Sequence, residues 1–189
     1  MDESRAKKLS ALGVLALGFL AWAGQDVPAS DEKKEPRLRT MPGQKMLVVE
    51  AKGDPNVAGQ SAFGLLFKTF FSLPGARMAP PRARWLGVAD TPKDQWVGLY
   101  ALPLPASVTE LPAGATGVRI ETWEYGEVAE ILHAGPYDQE TPAIERLHAF
   151  IKEKGYRIAG PHEEEYLKGP GMAASPADYL TIIRYRVRK

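Results

Sequence analysis

Residues 160–170 read Gly-Pro-His-Glu-Glu-Glu-Tyr-Leu-Lys-Gly-Pro. Three consecutive carboxylates, Glu163, Glu164 and Glu165, run straight into an apolar Tyr-Leu pair. On a strand, side chains alternate between faces. Glu163 and Glu165 then point one way, and His162, Glu164 and Tyr166 point the other. A carboxylate on a buried face must find a partner, shift its pKa or bind something. Ringed by aromatic side chains it has two uses. It holds a cation, by charge and by cation–π contact with Trp or Tyr faces. Alternatively it is a general acid or base, once burial raises its pKa toward neutrality. The aromatic residues available for such a ring are Trp85, Trp96, Trp123, Tyr125, Tyr137 and Tyr166.

Other chemistries find little support. The spacing of His133, His148 and His162 matches no metal-ligand motif, so no metal and no other cofactor is expected. The chain has no cysteine, which excludes disulfides, thiolate catalysis and cysteine-ligated zinc. "GDPNVAG" and "GPGMAAS" contain glycines but lack the strand–loop–helix context with Lys that a phosphate-cradling loop requires. A formal net charge of +1, without a basic stripe among aromatics, argues against a nucleic-acid partner. With 44% hydrophobic and 25% charged residues, the 189-residue chain has enough apolar content for one domain with a real core.

The elements that must position these residues follow one pattern twice. "KMLVVEAKG" (45–53) is an apolar strand ending in Gly, and 54–75 reads as a helix capped by Asp54 with Pro55 in its first turn. "RARWLGVAD" (82–90) and "QWVGLYALP" (95–103) read as two strands. In the second half, "GEVAEILHAG" (126–135) is again a strand ending in Gly. Residues 136–155 form a helix with Ile144, Leu147, His148 and Ile151 on one face and Gly155 as its stop. Two further strands follow it. "VRIETWEYG" between the halves is an extra strand or the first arm of a hairpin. Neither unit buries much alone. Together they make an α+β fold: a tandem strand–helix–strand–strand repeat in one curved antiparallel sheet, with two helices packed on one face.

At the N-terminus, basic Arg5, Lys7 and Lys8 precede an uncharged apolar stretch, Leu9–Ala23. That stretch is short for a bilayer span, and with the Ala21-Trp22-Ala23 box it reads as a signal peptide; an N-terminal membrane anchor is the rival. Residues 1–23 are therefore expected to be an export segment, 24–44 a charged linker and 45–189 the domain. The expected location is the cell envelope: periplasmic or secreted if cleaved, membrane-anchored if not.

The second half resembles a known family. His133, Gly135-Pro136-Tyr137, Gly155-Tyr156 and Glu164-Glu165-Tyr166-Leu167 match the motif string of the GyrI-like, or AraC-type effector-binding, domain. "ARWLGVADTPKDQWVGLYALPLP" matches its first half more loosely, and the family's Asp-Pro is Gly169-Pro170 here. The resemblance covers about Met46 to Lys189. It implies a pseudo-two-fold repeat with a small-molecule groove between the halves, into which Glu164 points. Trp85, Trp96, Trp123, Tyr125, Tyr137 and Tyr166 are expected to line that groove, with Glu163 and Glu165 solvated. The expected function is a non-enzymatic module binding an amphipathic or cationic small molecule. Two alternatives stand beside it: a hydrolase of the GyrI-like type using Glu164 as general acid/base, and a protein-interaction module of the toxin-antagonist kind.

Overall fold

The computed structural model describes residues 34–86 and 91–189. The expected export segment, the first part of the expected linker and the end of the 82–90 strand lie outside the described residues. Among the described residues, no helix is long and apolar enough to cross a membrane.

The strands are β1 (Arg37–Met41), β2 (Gln44–Lys52), β3 (Arg82–Leu86), β4 (Val97–Pro103), β5 (Arg119–Trp123), β6 (Gly126–Ala134), β7 (Arg157–Ile158), β8 (His162–Lys168) and β9 (Leu180–Arg188). The helices are α1 (Pro55–Phe70) and α2 (Thr141–Glu153). All the pairings are antiparallel, in the order β1-β6-β9-β8-β3-β4-β2-β5, with β7 added to one end of β9. The sheet curls into a half-barrel. The order exposes the repeat: β2, β4 and β3 of the first unit mirror β6, β9 and β8 of the second. The units meet where β3 pairs with β8.

One strand departs from the sequence reading, and another decides between its alternatives. Arg37–Met41, expected in the linker, is β1, an edge strand pairing with β6 from Arg37 opposite Glu130 to Met41 opposite Gly126. Of the two readings of 118–126, the structure shows the extra strand: β5 pairs with β2 on the far edge and not with β6. Each unit thus receives its outermost strand from the segment preceding the other unit.

Local chemistry sets the helices. Asp54 caps α1, its carboxylate accepting from the Asn56 N–H at 2.8 Å, and Pro55 occupies the first turn. The wide apolar face of α1 (Ala62, Phe63, Leu66, Phe67, Phe70) packs on β2 and β4, burying Leu47, Val49, Tyr100 and Leu102; Leu65, on its flank, is half-buried. α2 is more strictly amphipathic. It sets Leu147 and Ile151 on Ala129, Ile131 and Ile183 of β6 and β9. Gly155, at φ 73°, ends it in the left-handed region that favours glycine. Because each helix covers its own half-sheet, the central strands β3 and β8 lie between the two.

Candidate functional site

The seam between the units carries the acid cluster. Ala83 stands opposite Glu164, and Trp85 opposite His162. Alternation along β8 turns His162, Glu164 and Tyr166 to the helix face. There Glu164, 9% exposed, accepts three hydrogen bonds: from the Trp85 indole N–H to Oε1 at 2.9 Å, from His162 Nε2 to Oε1 at 3.0 Å, and from the Tyr166 hydroxyl to Oε2 at 2.6 Å. His162 is itself fixed by a hydrogen bond between Nδ1 and the Tyr185 hydroxyl oxygen, 2.8 Å apart. A single-turn 3₁₀ segment at 137–139, just before α2, brings two more residues over β8. Tyr137 stacks edge-on to Tyr166, with ring centroids 5.5 Å apart. Glu140, 6% exposed, faces Glu164 and His162, with ligand-type atoms of the three residues within 4.8 Å of one another.

Aromatic rings close around the carboxyls. Phe63 of α1 meets Tyr166 edge-on at 6.0 Å and Tyr100 at 5.2 Å. Trp85 meets Tyr100 at 5.6 Å and Trp96 at 5.9 Å. Gly98 makes this packing fit: a Cβ there would stand 2.7 Å from Tyr100 Cε2 and 2.9 Å from Trp85 Cζ3.

The two carboxyls divide one proton unequally. Burial raises the pKa of both. At Glu164 that effect is outweighed by the hydrogen bond and charge of His162, with the Tyr166 and Trp85 donors adding to them, so its pKa falls below the ordinary value. Glu140 has no such donors: burial, the Glu164 charge and a hydrogen bond to Glu164 push it well above. At neutral pH the pair is an acid beside a carboxylate, titrating as a unit. Burial, followed by the Glu164 and Glu140 charges, pushes the Tyr185 phenol up to about 12.

The opposite face corrects one expectation. Glu163 and Glu165 are not solvated. Glu163 is 3% exposed and accepts from Arg84 at 2.7 Å, Arg184 at 2.9 Å and the Tyr125 hydroxyl at 3.0 Å. Glu165 accepts from Arg184 at 2.8 Å and lies 3.5 Å from Arg82. Arg184, 2% exposed, also forks onto Glu130 at 2.8 and 3.0 Å. The curled sheet buries this face without a helix, so its charges survive only as a network. A cavity of about 120 Å³ lies beside the network, lined by Arg84, Tyr125, Glu163, Arg184 and Arg186 among others.

The residues expected in one groove are therefore divided. Trp85, Trp96, Tyr137, Glu164 and Tyr166 come together on the helix face. Trp123 and Tyr125 lie on the other: Trp123 sits under the Arg84 guanidinium at 4.0 Å, and Tyr125 accepts from Arg82 at 2.6 Å. Burial and the Glu163 charge push Tyr125 up to about 12. His133 sits 3.0 Å from the Pro136 carbonyl, outside the cluster. Sequence reasoning missed Glu140, Tyr100 and Tyr185. Glu140 did leave a signal: it occupies the N-cap position of α2, where Ser, Thr, Asp or Asn is the rule.

Two fused half-sheets with a buried acid pair at their seam define a duplicated α+β domain. The model of the GyrI-like small molecule binding domain matches residues 34–187, and the chain belongs to that family. Among solved structures, an uncharacterised conserved protein from Listeria innocua is 25% identical, with 82% of this chain and 93% of that one covered and a TM-score of 0.70. A protein described as a hydrolase from Listeria innocua is 24% identical over the same shares, with a TM-score of 0.66. The C-terminal domain of EcmrR is 14% identical, over 82% of this chain and 98% of that one, with a TM-score of 0.69. No curated protein matches the chain significantly.

Proposed function

We propose that the seam is a binding groove for an amphipathic or cationic aromatic molecule, anchored by Glu164. The observation that carries this reading is a carboxylate kept ionised in an aromatic enclosure. Glu164 is held anionic by three donors, beside a second buried carboxyl and with no guanidinium or ammonium paired to it among the described residues. A ligand cation supplies the missing charge, and the rings of Trp85, Tyr137 and Tyr166 supply its apolar contact. Membership of a small-molecule-binding family supports the same reading. The test is titration with aromatic quaternary ammonium ions. Glu164→Gln keeps the shape and removes the charge, so it should weaken binding about 10- to 150-fold, the loss of a charge-assisted contact of about 1.5–3 kcal/mol. A change under about threefold overturns the reading.

A hydrolase is the second reading, favoured by the acid–carboxylate pair itself. Two carboxyls with pKa values pushed apart supply a proton donor and a proton acceptor at one point. On this reading Glu164→Gln leaves binding nearly intact and abolishes turnover. A protein-interaction module of the toxin-antagonist kind would show neither ligand binding nor turnover.

The domain is further proposed to work in the cell envelope, exported or tethered, on the strength of the basic start followed by Leu9–Ala23. A fusion after Lys189 to a reporter active only in the cytoplasm should stay dark. Signal from it rejects the placement.

A further inference from the structure

We infer that Glu140, His162 and Glu164 form a binding site for a first-row divalent cation such as Zn²⁺ or Mn²⁺. The three residues come from separate places, the β6–α2 connection and two positions on β8, yet one ligand-type atom of each lies within 4.8 Å of the others. An ion bound at about 2.0–2.1 Å in tetrahedral geometry needs its donors roughly 3.4 Å apart. His162 Nε2 and Glu164 Oε1 are 3.0 Å apart, with the Glu140 carboxyl within 4.8 Å of both, so an ion that takes the place of the proton between nitrogen and oxygen has all three donors at hand.

A second observation stands apart from this proximity. Glu140 is 6% exposed, and no N–H or O–H group among the described residues reaches its Oε1. A buried acceptor without a donor is uncommon in a folded protein. The Glu140 carboxyl faces another carboxylate, with which it shares a proton, and an imidazole; a divalent cation would release that proton and take its place among the three groups. The surroundings also match those of a metal centre. Trp85 and Tyr166 orient Glu164, and the Tyr185 oxygen holds His162 Nδ1, leaving Nε2 aimed at the cluster. One nitrogen and two oxygens suit Zn²⁺, Mn²⁺, Fe²⁺ or Co²⁺; the all-oxygen shells of Ca²⁺ and Mg²⁺ and the thiolates of Cu⁺ sites are absent from the set. Three protein ligands leave a position for water or a bound molecule.

This site uses side chains of the groove but does not rest on the organic-cation reading, and the two fail separately. The full chain, stripped with EDTA and dialysed, is titrated with ZnCl₂ and MnCl₂ by calorimetry. One equivalent should bind. Glu140→Gln and His162→Gln should each weaken binding at least tenfold, Tyr185→Phe should weaken it less, and His133→Gln should leave it unchanged. Visible absorption of the Co²⁺-loaded chain reads the coordination without any substitution: bands of a four- or five-coordinate ion are expected, and they decide the matter if a variant fails to fold. No saturable binding, equal binding by the folded Glu140→Gln and His162→Gln variants, or a spectrum of octahedral aqueous Co²⁺ alone overturns the site. Quaternary ammonium binding without Zn²⁺ binding keeps the groove and rejects the metal; the reverse keeps the metal and rejects the organic cation.

Discussion

The indole N–H of Trp85 donates to Oε1 of Glu164 at 2.9 Å, joining strand β3 of the first unit to strand β8 of the second at the pseudo-two-fold seam. Both side chains are largely buried, so the bond is made to a charged acceptor away from water. Trp85→Phe keeps an aromatic ring and removes the donor. It should destabilise the fold by about 1.5–3 kcal/mol, as expected for a hydrogen bond to a charged group. Trp96→Phe removes only a half-buried bond to the Thr91 carbonyl and should cost about 0.5–1.5 kcal/mol. Urea denaturation of both variants measures the difference. A Trp85→Phe loss no larger than that of Trp96→Phe contradicts the assigned role.

Adjacent glutamates of β8 should respond differently. Glu163→Gln strips charge compensation from Arg84 and fully buried Arg184, and should cost about 3–5 kcal/mol of stability. Its effect on quaternary ammonium affinity at the folded protein should stay within about threefold, because Glu163 lies on the opposite face of the strand from Glu164. Glu164→Gln should cost stability as well, since three donors lose a charged acceptor, but of the two substitutions it alone should weaken binding about 10- to 150-fold. Equal affinity losses at the two positions, measured by titration, would mean that the run acts as one diffuse acidic patch.

Glu130 should govern part of the acid limb of stability. Burial raises its pKa, but the Arg184 charge and hydrogen bonds from Arg37, Arg184 and Arg39 outweigh this and bring it to about 2, from an ordinary 4.5. A carboxyl held below its unfolded value stabilises the fold above that value and ceases to do so as pH falls through the folded one. About 3 kcal/mol should therefore be present above about pH 4.5 and disappear by about pH 2. Denaturant midpoints from pH 7 to pH 2 test it. Glu130→Gln should be less stable at pH 7 and show a shallower acid limb; an unchanged limb rejects the assignment.

Leu147 is wholly buried between α2 and the second half-sheet. Leu147→Ala should cost about 2–5 kcal/mol through lost apolar burial and the cavity left behind. Leu65, half-buried on the flank of α1, should cost less on the same change. Thermal or urea unfolding distinguishes the two. A loss at Leu147 below about 0.5 kcal/mol, the range of surface substitutions, removes α2 from the core.

Period-two alternation and helical spacing are local properties, and they alone determined much of this protein. Apolar strands such as Met46–Val49, the Asp54 cap, the Leu147–Ile151 face and the opposite facing of Glu163 and Glu164 all follow from them. The repeat is legible for the same reason. What a side chain meets beyond its own element depends on which strands become neighbours, and that is set by long-range pairing. Pairing of β1 with β6 turned the linker-like stretch Arg37–Met41 into an edge strand that brings Arg37 and Arg39 to Glu130. Placement of β5 beside β2 put Trp123 under Arg84 rather than beside Glu164. Curling of the sheet buried the face carrying Glu163 and Glu165, where alternation alone gives an orientation but no solvent exposure. Glu140 reached the acid pair only because the connection into α2 folds back over β8, with the whole of α2 lying between Glu140 and Glu164 in the chain, a contact that no periodicity encodes.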